Sequence, residues 1–300
     1  MITEPLSDKT AKKLKVLESN LSAMFPTQII THYTSQERFN CLCAYGEHKN
    51  FAAYFRLLIA DFIDKSAERA LYLDTDTLVM CDIRELWDVD FEGSTALVVK
   101  DILEQSVYIE RFIKLGFKNN FDTNKYFNSG VMMMNIKEWR RLPLNDIFSF
   151  DTSVVADQDF LNYIVYGKTK LLPFAWNMQW RDKRILEFDS SSQIKHGKLL
   201  MSSISEDEFE IANTKPKIVH FVFSKPWFKS YIKIDNKFVV HPYAKEWMRV
   251  AKMTPFGSEI YSNYIKETIA FWLRQYIPFV YKALHGTKRI LKPYKQKIAR

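Results

Sequence analysis

Near the start of the chain, Ala11, Leu14, Leu17, Leu21 and Met24 recur at helical spacing behind Ser7 and Asp8, a pair suited to an N-cap. Pro26 stops that run, and residues 27–33 read as a strand. Residues 51–63 are again apolar at helical spacing and feed a short apolar strand at 70–73. A further strand covers 95–100 and ends at Asp101. Residues 128–135 predict a turn into a buried strand, with Met132, Met133 and Met134 as core filler, and 136–141 begin a helix. Ala156, Asp157, Gln158 and Asp159 open a helix that continues over 160–165. Acidic residues suit a helix N-terminus, so capping accounts for them when they are taken alone. Residues 177–215 are polar and predict loops or short helices; 217–223 predict the last strand, followed by Ser224, Lys225, Pro226 and Trp227. Helix and strand in alternation predict an α/β protein.

The run that ends at Leu73 is followed by Asp74 and, two residues on, Asp76. In an extended strand, residues i and i+2 share a side, so both carboxylates can converge on one point. Together they repel, and one pKa is pushed upward. A divalent cation resolves the conflict, and oxygen ligation suits Mg²⁺ or Mn²⁺ better than zinc. An isolated Asp-x-Asp also marks solvated turns and helix caps. Asp-x-Asp-x-Thr-Leu after an apolar strand further resembles the haloacid-dehalogenase-type phosphatases, in which the first Asp is a nucleophile and the second a general acid/base.

With 47% hydrophobic residues over 300 positions, the chain can build a sizeable core. The first residues show no basic region followed by an apolar one, and no apolar run is long enough for a membrane span. Cys41, Cys43 and Cys81 are an odd set without zinc spacing and predict buried or free thiols in a reducing compartment. Charge is uneven. Residues 261–300 carry nine Lys/Arg against Glu267, which equals the whole net charge of +8, and the first 260 residues balance. A neutral body with a basic end bears on partners rather than on fold.

Four segments now fall in one order: Tyr-Leu-Asp-Thr-Asp-Thr-Leu-Val at 72–79, Tyr-Phe-Asn-Ser-Gly-Val at 126–131, Asp-Gln-Asp at 157–159, and His220 leading to Lys225-Pro226-Trp227. With Tyr54-Phe55-Arg56-Leu57 upstream, they resemble the retaining glycosyltransferases of family 8, which include bacterial lipopolysaccharide galactosyl- and glucosyltransferases and glycogenin. The phosphatase reading yields here, because it leaves Asn128, Asp157-Gln158 and His220-Lys225-Pro226-Trp227 unexplained. The resemblance implies a GT-A-like nucleotide-diphospho-sugar transferase fold, with a mixed sheet flanked by helices. It implies a catalytic domain over 1–245 and a basic, aromatic helical tail over 246–300.

By position, the resemblance makes Asp74, Asp76 and His220 ligands of Mn²⁺ (or Mg²⁺) and Lys225 the cation that meets the donor diphosphate. Tyr54, Arg56 and Asp101 fall at the donor site, and Asn128, Asp157 and Gln158 surround the transferred sugar, with Gln158 opposite the leaving group. A lone strand-end His is otherwise more often structural; its motif argues for the ligand. The implied reaction moves glucose or galactose from a UDP-hexose to a glycan or lipid-linked saccharide acceptor. In two places the chain departs from the family. Phe223 stands where a Gly usually follows the metal His, and the segment to Lys225 is one residue shorter, which bears on backbone approach to phosphate. Members also open with a strand-helix-strand that grips uracil and ribose, whereas this sequence resembles the family from the next helix onward. The expectation is therefore an N-terminally incomplete domain, with a degenerate, non-catalytic binding protein as the rival.

In the tail, Ile265, Ile269, Trp272, Tyr276, Phe279 and Ala283 form a helical stripe flanked by Arg274 and Lys282, and Pro278 should kink or divide the helix. Apolar aromatics with basic flanks suit an anionic membrane surface, and the resemblance places it on the cytoplasmic side. Docking of this helix on the domain is the alternative. No recognition module accompanies the charge, so nucleic acid is not an expected partner.

Overall fold

The computed structural model describes residues 1–43, 51–102, 112, 121–152, 156–180, 186–187, 199–200, 204–222, 225–227, 231–234 and 237–281. The chain divides into two compact units, Met1–Val222 and Phe223–Arg300. The expected boundary after residue 245 falls inside the helix Ala244–Lys252 of the second unit.

In the first unit, the short strand β1 (Ile2–Thr3) precedes the helix Asp8–Ser22 and pairs in parallel with β2 (His32–Tyr33). Ser7 caps the helix, its hydroxyl accepting from the Thr10 N–H at 3.3 Å. The expected strand over 27–33 contracts to His32–Tyr33, because its partner β1 offers two residues of ladder. The helical pattern of 51–63 becomes a 3-10 helix, Ala52–Leu58, running into an α-turn, Ile59–Phe62. Next come β3 (Arg69–Leu73), β4 (Thr77–Val79), β5 (Ala96–Lys100), β6 (Phe127–Asn135) and β7 (Thr169–Leu171). Residues 128–131 lie within β6 rather than in a turn. Asn135 caps the helix Ile136–Trp139, and the Asp157 segment forms the helix Ala156–Ile164, as expected. Beyond these lie β8 (Leu186–Glu187), β9 (Leu199–Leu200), the helix Glu206–Thr214 and β10 (Ile218–His220).

The main sheet has the order β3-β6-β5-β7 and is mixed: β6 runs antiparallel to β3 and β5, while β7 runs parallel to β5. Met132 and Met134 of β6, with Ala96 and Val98 of β5, enter a core shared with Phe55, Leu57, Trp139, Phe160 and Leu161. Leu97 and Met133, on the opposite pleat, are equally buried. Both faces are thus covered, which explains why these strands read as continuous apolar runs. Between Val98 and Val99 the register jumps from Met132 to Asn128, so Ser129, Gly130 and Val131 bulge away from β5. β4 pairs antiparallel with β10 as a separate two-stranded ladder.

Residues 218–220 of the strand expected over 217–223 form β10 of the first unit, and the last strands lie in the second unit. An antiparallel hairpin follows, β11 (Tyr231–Ile234) with β12 (Lys237–Val240), then the helices Ala244–Lys252 and Gly257–Tyr276. The second helix stops at Ile277, and a new helical turn opens at Pro278, a residue suited to a first helical position. Ile265, Ile269, Trp272, Tyr276 and Phe279 are all exposed. Lys282, Ala283 and the basic positions 288–300 lie outside the described residues. Among the described residues, no helix is long and apolar enough to cross a membrane. Cys41, Cys43 and Cys81 are free thiols; the first two are exposed rather than buried.

Candidate functional site

Because β6 runs against β3 and β5, its start lies at their carboxyl ends. Asp74 after β3, Asp101 after β5, and Asn128 to Gly130 of β6 therefore gather at one end of the sheet, where α/β folds place ligands. Asp74 and Asp76 sit in the turn between β3 and β4, not in an extended strand. Their convergence comes from pinning rather than from the pleat. The Asp74 N–H donates to the Gly130 carbonyl (2.8 Å), Thr77 Oγ1 donates to the Asp74 carbonyl (2.8 Å), and the Phe221 N–H donates to the Asp76 carbonyl (2.8 Å).

His220 closes the group from β10, opposite Thr77. Its Nε2 lies 3.3 Å from Asp76 Oδ1 and 3.6 Å from Asp74 Oδ2, and one ligand atom from each of the three residues falls within 4.8 Å of the others. Burial pushes His220 down to about 4, against the pull of Asp74, so the ring is neutral at physiological pH. Two carboxylates and a neutral imidazole directed at one point fit a divalent cation. Gly130 lets the ring in: a Cβ there would lie 2.1 Å from His220 Cε1 and 2.9 Å from Asp74 Oδ2.

Arg56 ties this group to its neighbours. Its Nη2 donates to Asp74 Oδ1 (2.9 Å), and its Nη1 donates to the Ser129 carbonyl (2.6 Å) and hydroxyl (2.7 Å). Its Nε donates to the Ala53 carbonyl and lies 2.9 Å from Asp157 Oδ2. The guanidinium stacks over Tyr72, whose hydroxyl donates to Asp74 Oδ1 at 2.5 Å. Burial pushes Asp157 up to about 6, with Arg56 pulling it down and Asp74 adding to the rise. Beside this ion cluster lies a buried amide–carboxylate network. Gln158 Nε2 donates to Asp101 Oδ2 (2.9 Å) and to Tyr126 (3.1 Å), whose hydroxyl donates to Asp159 (2.8 Å). Asn128 Nδ2 reaches Asp101 and Gln158, each at 3.2 Å. The Ser129 N–H donates to Gln158 Oε1 at 3.0 Å.

Of the residues singled out in the sequence, Arg56, Asp74, Asp76, Asp101, Asn128, Asp157, Gln158 and His220 come together. Tyr54 lies in the core, stacked on Phe39, with its hydroxyl donating to the Cys43 carbonyl. Lys225 belongs to the second unit and is half-buried; Phe223 lies outside the described residues. Sequence reasoning gave no role to Gly130, Tyr72, Tyr126, Asp159 or Asn177. Asn177 carries no local signal. It reaches His220 because its segment runs parallel to β10 through the Met178–Val219 bridge.

Replacing Gly130 with alanine should displace His220 and Asp74 while leaving a folded chain. The expected result is at least tenfold weaker Mn²⁺ binding by calorimetry; wild-type affinity would contradict the close approach. With metal chelated, folded His220 takes up no proton until about pH 4, whereas the unfolded ring does so below the ordinary histidine value of 6.5. Stability should therefore fall as pH drops through that window, by up to about 1.4 kcal/mol per pH unit from this residue. That slope should vanish in His220→Gln, as read by urea unfolding between pH 7 and 4.

The sequence model of glycosyl transferase family 8 matches residues 2–230. General stress protein A of Bacillus subtilis (strain 168) is 31% identical over 223 residues, which cover 71% of this chain and 69% of that protein. A lipopolysaccharide 1,2-glucosyltransferase of Escherichia coli is 27% identical over 232 residues, or 74% of this chain and 62% of that enzyme. A lipopolysaccharide 1,3-galactosyltransferase of Salmonella typhimurium is 24% identical over 279 residues, or 85% of this chain and 76% of that enzyme. Among solved structures, galactosyltransferase LgtC in complex with donor and acceptor sugar analogs superposes with a TM-score of 0.57 at 20% identity, covering 85% of this chain and 96% of that one. That likeness gives the fold, which is the GT-A type. The family match spans well over half of the chain, and so this protein belongs to glycosyl transferase family 8.

Proposed function

We propose that this chain is a metal-dependent retaining hexosyltransferase that moves glucose or galactose from UDP to a lipopolysaccharide-type or other glycan acceptor. The observation that carries the reading is the meeting of Asp74, Asp76 and His220 at the same sheet end as Asp101, Asn128 and Gln158. The names of the Escherichia coli and Salmonella relatives support the acceptor class. Mn²⁺ (or Mg²⁺) held by the three ligands would supply positive charge to a diphosphate leaving group. Lys225 is assigned to the same diphosphate on its motif with Pro226 and Trp227.

The remaining roles follow from charge. When the bond from sugar C1 to the diphosphate breaks, the electron pair leaves with the phosphate oxygen and the ring becomes cationic. Gln158 Oε1 is oriented by the Ser129 N–H and offers its dipole to that ring; as an amide it is a poor nucleophile. Asp157, paired with Arg56, adds negative potential at neutral pH. Asp101 and Asn128 are assigned to the sugar hydroxyls, on their place beside Gln158. Losing one such charge contact costs on the order of 3 kcal/mol in barrier, about a hundredfold in rate.

The test is release of UDP from UDP-glucose and UDP-galactose with Mn²⁺, with donor binding read by calorimetry. Turnover should fall at least a hundredfold in Asp76→Ala; unchanged turnover would remove the metal assignment. Donor binding without turnover would favour the non-catalytic rival.

The exposed stripe of Ile265, Ile269, Trp272 and Tyr276 leads into a basic end and is assigned to an anionic membrane surface on the cytoplasmic side. Deleting residues 261–300 should abolish co-sedimentation with phosphatidylglycerol vesicles and spare turnover on a soluble acceptor. Persistent sedimentation would reject the assignment.

A further inference from the structure

Asn177 belongs to none of the segments that mark the family resemblance, yet it touches both halves of the site. It is fully buried at the end of the 3-10 turn Phe174–Asn177. Its Oδ1 lies 2.9 Å from His220 Nδ1, and its Nδ2 lies 2.9 Å from Asn128 Oδ1.

The protons in this chain of contacts can be assigned one by one from a fixed starting point. The Gly130 backbone N–H can only donate, and it donates to the Asn128 side chain at 3.0 Å, so the Asn128 atom there is the carbonyl oxygen. That oxygen also faces Asn177, so the Asn177 atom opposite it must be the amide nitrogen. The Asn177 carbonyl oxygen is then turned to His220 and can only accept. His220 Nδ1 must therefore carry the proton, which leaves the lone pair on Nε2, the atom facing Asp74 and Asp76. In the other tautomer, Nδ1 and the Asn177 oxygen would be two acceptors face to face in a buried site, which is costly.

We propose that Asn177 is a positioning residue that fixes the ligating tautomer and ring orientation of His220. The inference rests on the metal reading above. Groups that hold the second nitrogen of a ligating histidine typically tune metal affinity by about 10- to 100-fold. Asn177 does so here from a segment distant in sequence, and the backbone of Gly130 sets the chain of polarity through Asn128.

The experiment titrates Mn²⁺ alone into the full chain and follows it by electron paramagnetic resonance, reading affinity and the ¹⁴N coupling of a metal-bound imidazole. The variants are Asn177→Leu, which removes the acceptor at similar volume, Asn177→Asp, which keeps an acceptor for the Nδ1 proton and, as a buried protonated carboxyl, still donates to Asn128 Oδ1, and His220→Ala. The expected result is nitrogen coupling in the wild type and in Asn177→Asp, with affinities within a few-fold of each other. Asn177→Leu should bind 10- to 100-fold more weakly with the coupling lost or reduced. Wild-type affinity and coupling in Asn177→Leu would overturn the inference while leaving the metal site intact. Loss of affinity and coupling in Asn177→Asp would overturn it too, and this variant decides the matter if the leucine protein does not fold. Equal Mn²⁺ binding by wild type and His220→Ala would instead overturn the metal reading, and the role of Asn177 with it.

Discussion

The site depends on one buried guanidinium. Asp74 and Asp157 are carboxylates held away from bulk water, and such charges persist only when countered. Arg56 meets both, while its Nε also donates to the Ala53 carbonyl and its Nη1 donates to the Ser129 carbonyl and hydroxyl. Without that cation, Asp74 would keep the Tyr72 hydroxyl but lose the positive charge built into the protein against its repulsion with Asp76. A planar fork can span these partners at once, whereas an ammonium group could not. The 3-10 helix Ala52–Leu58 thus exists for a side chain as well as for packing: it delivers Arg56 into the centre of the sheet end.

Topology supplies the rest. The antiparallel course of β6 brings the Asn128–Gly130 segment beside the ends of β3 and β5, and the bulge frees it from the β5 ladder. Backbone groups released there are used at once. The Ser129 N–H orients Gln158, the Gly130 N–H orients Asn128, and the Gly130 carbonyl fixes Asp74. The Asp74–Asp76–His220 group and the Asp101–Gln158 network therefore flank one short stretch of chain.

Much of this was legible in the sequence. Strands β5 and β6 could be read because burial on both faces leaves an unbroken apolar run. The Asp74, Asp76 and His220 set could be read because each residue sits in a motif whose order is distinctive. The strand expected over 27–33 shrank because pairing depends on a partner that local propensity does not report. The hairpin of β11 and β12 was missed although Tyr231 to Ile234 and Lys237 to Val240 are rich in β-forming residues around Asp235 and Asn236, both turn-forming types. Gly130 was visible only as part of a motif, since the reason for it is a ring arriving from ninety residues downstream. Asn177 had no sequence signal, because its role arises from a single parallel bridge.

The three candidate ligands do not share one sheet. Asp74 follows β3 of the main sheet, whereas Asp76 leads into β4 and His220 ends β10, the two strands of the separate ladder. An ion bound by all three would act as a rivet between these two layers. Part of its binding free energy would then appear as resistance of the β4–β10 ladder to local opening, and amides such as those of His220 and Phe221 would exchange with solvent more slowly. Loading the donor site and stiffening this corner of the fold would be one thermodynamic event.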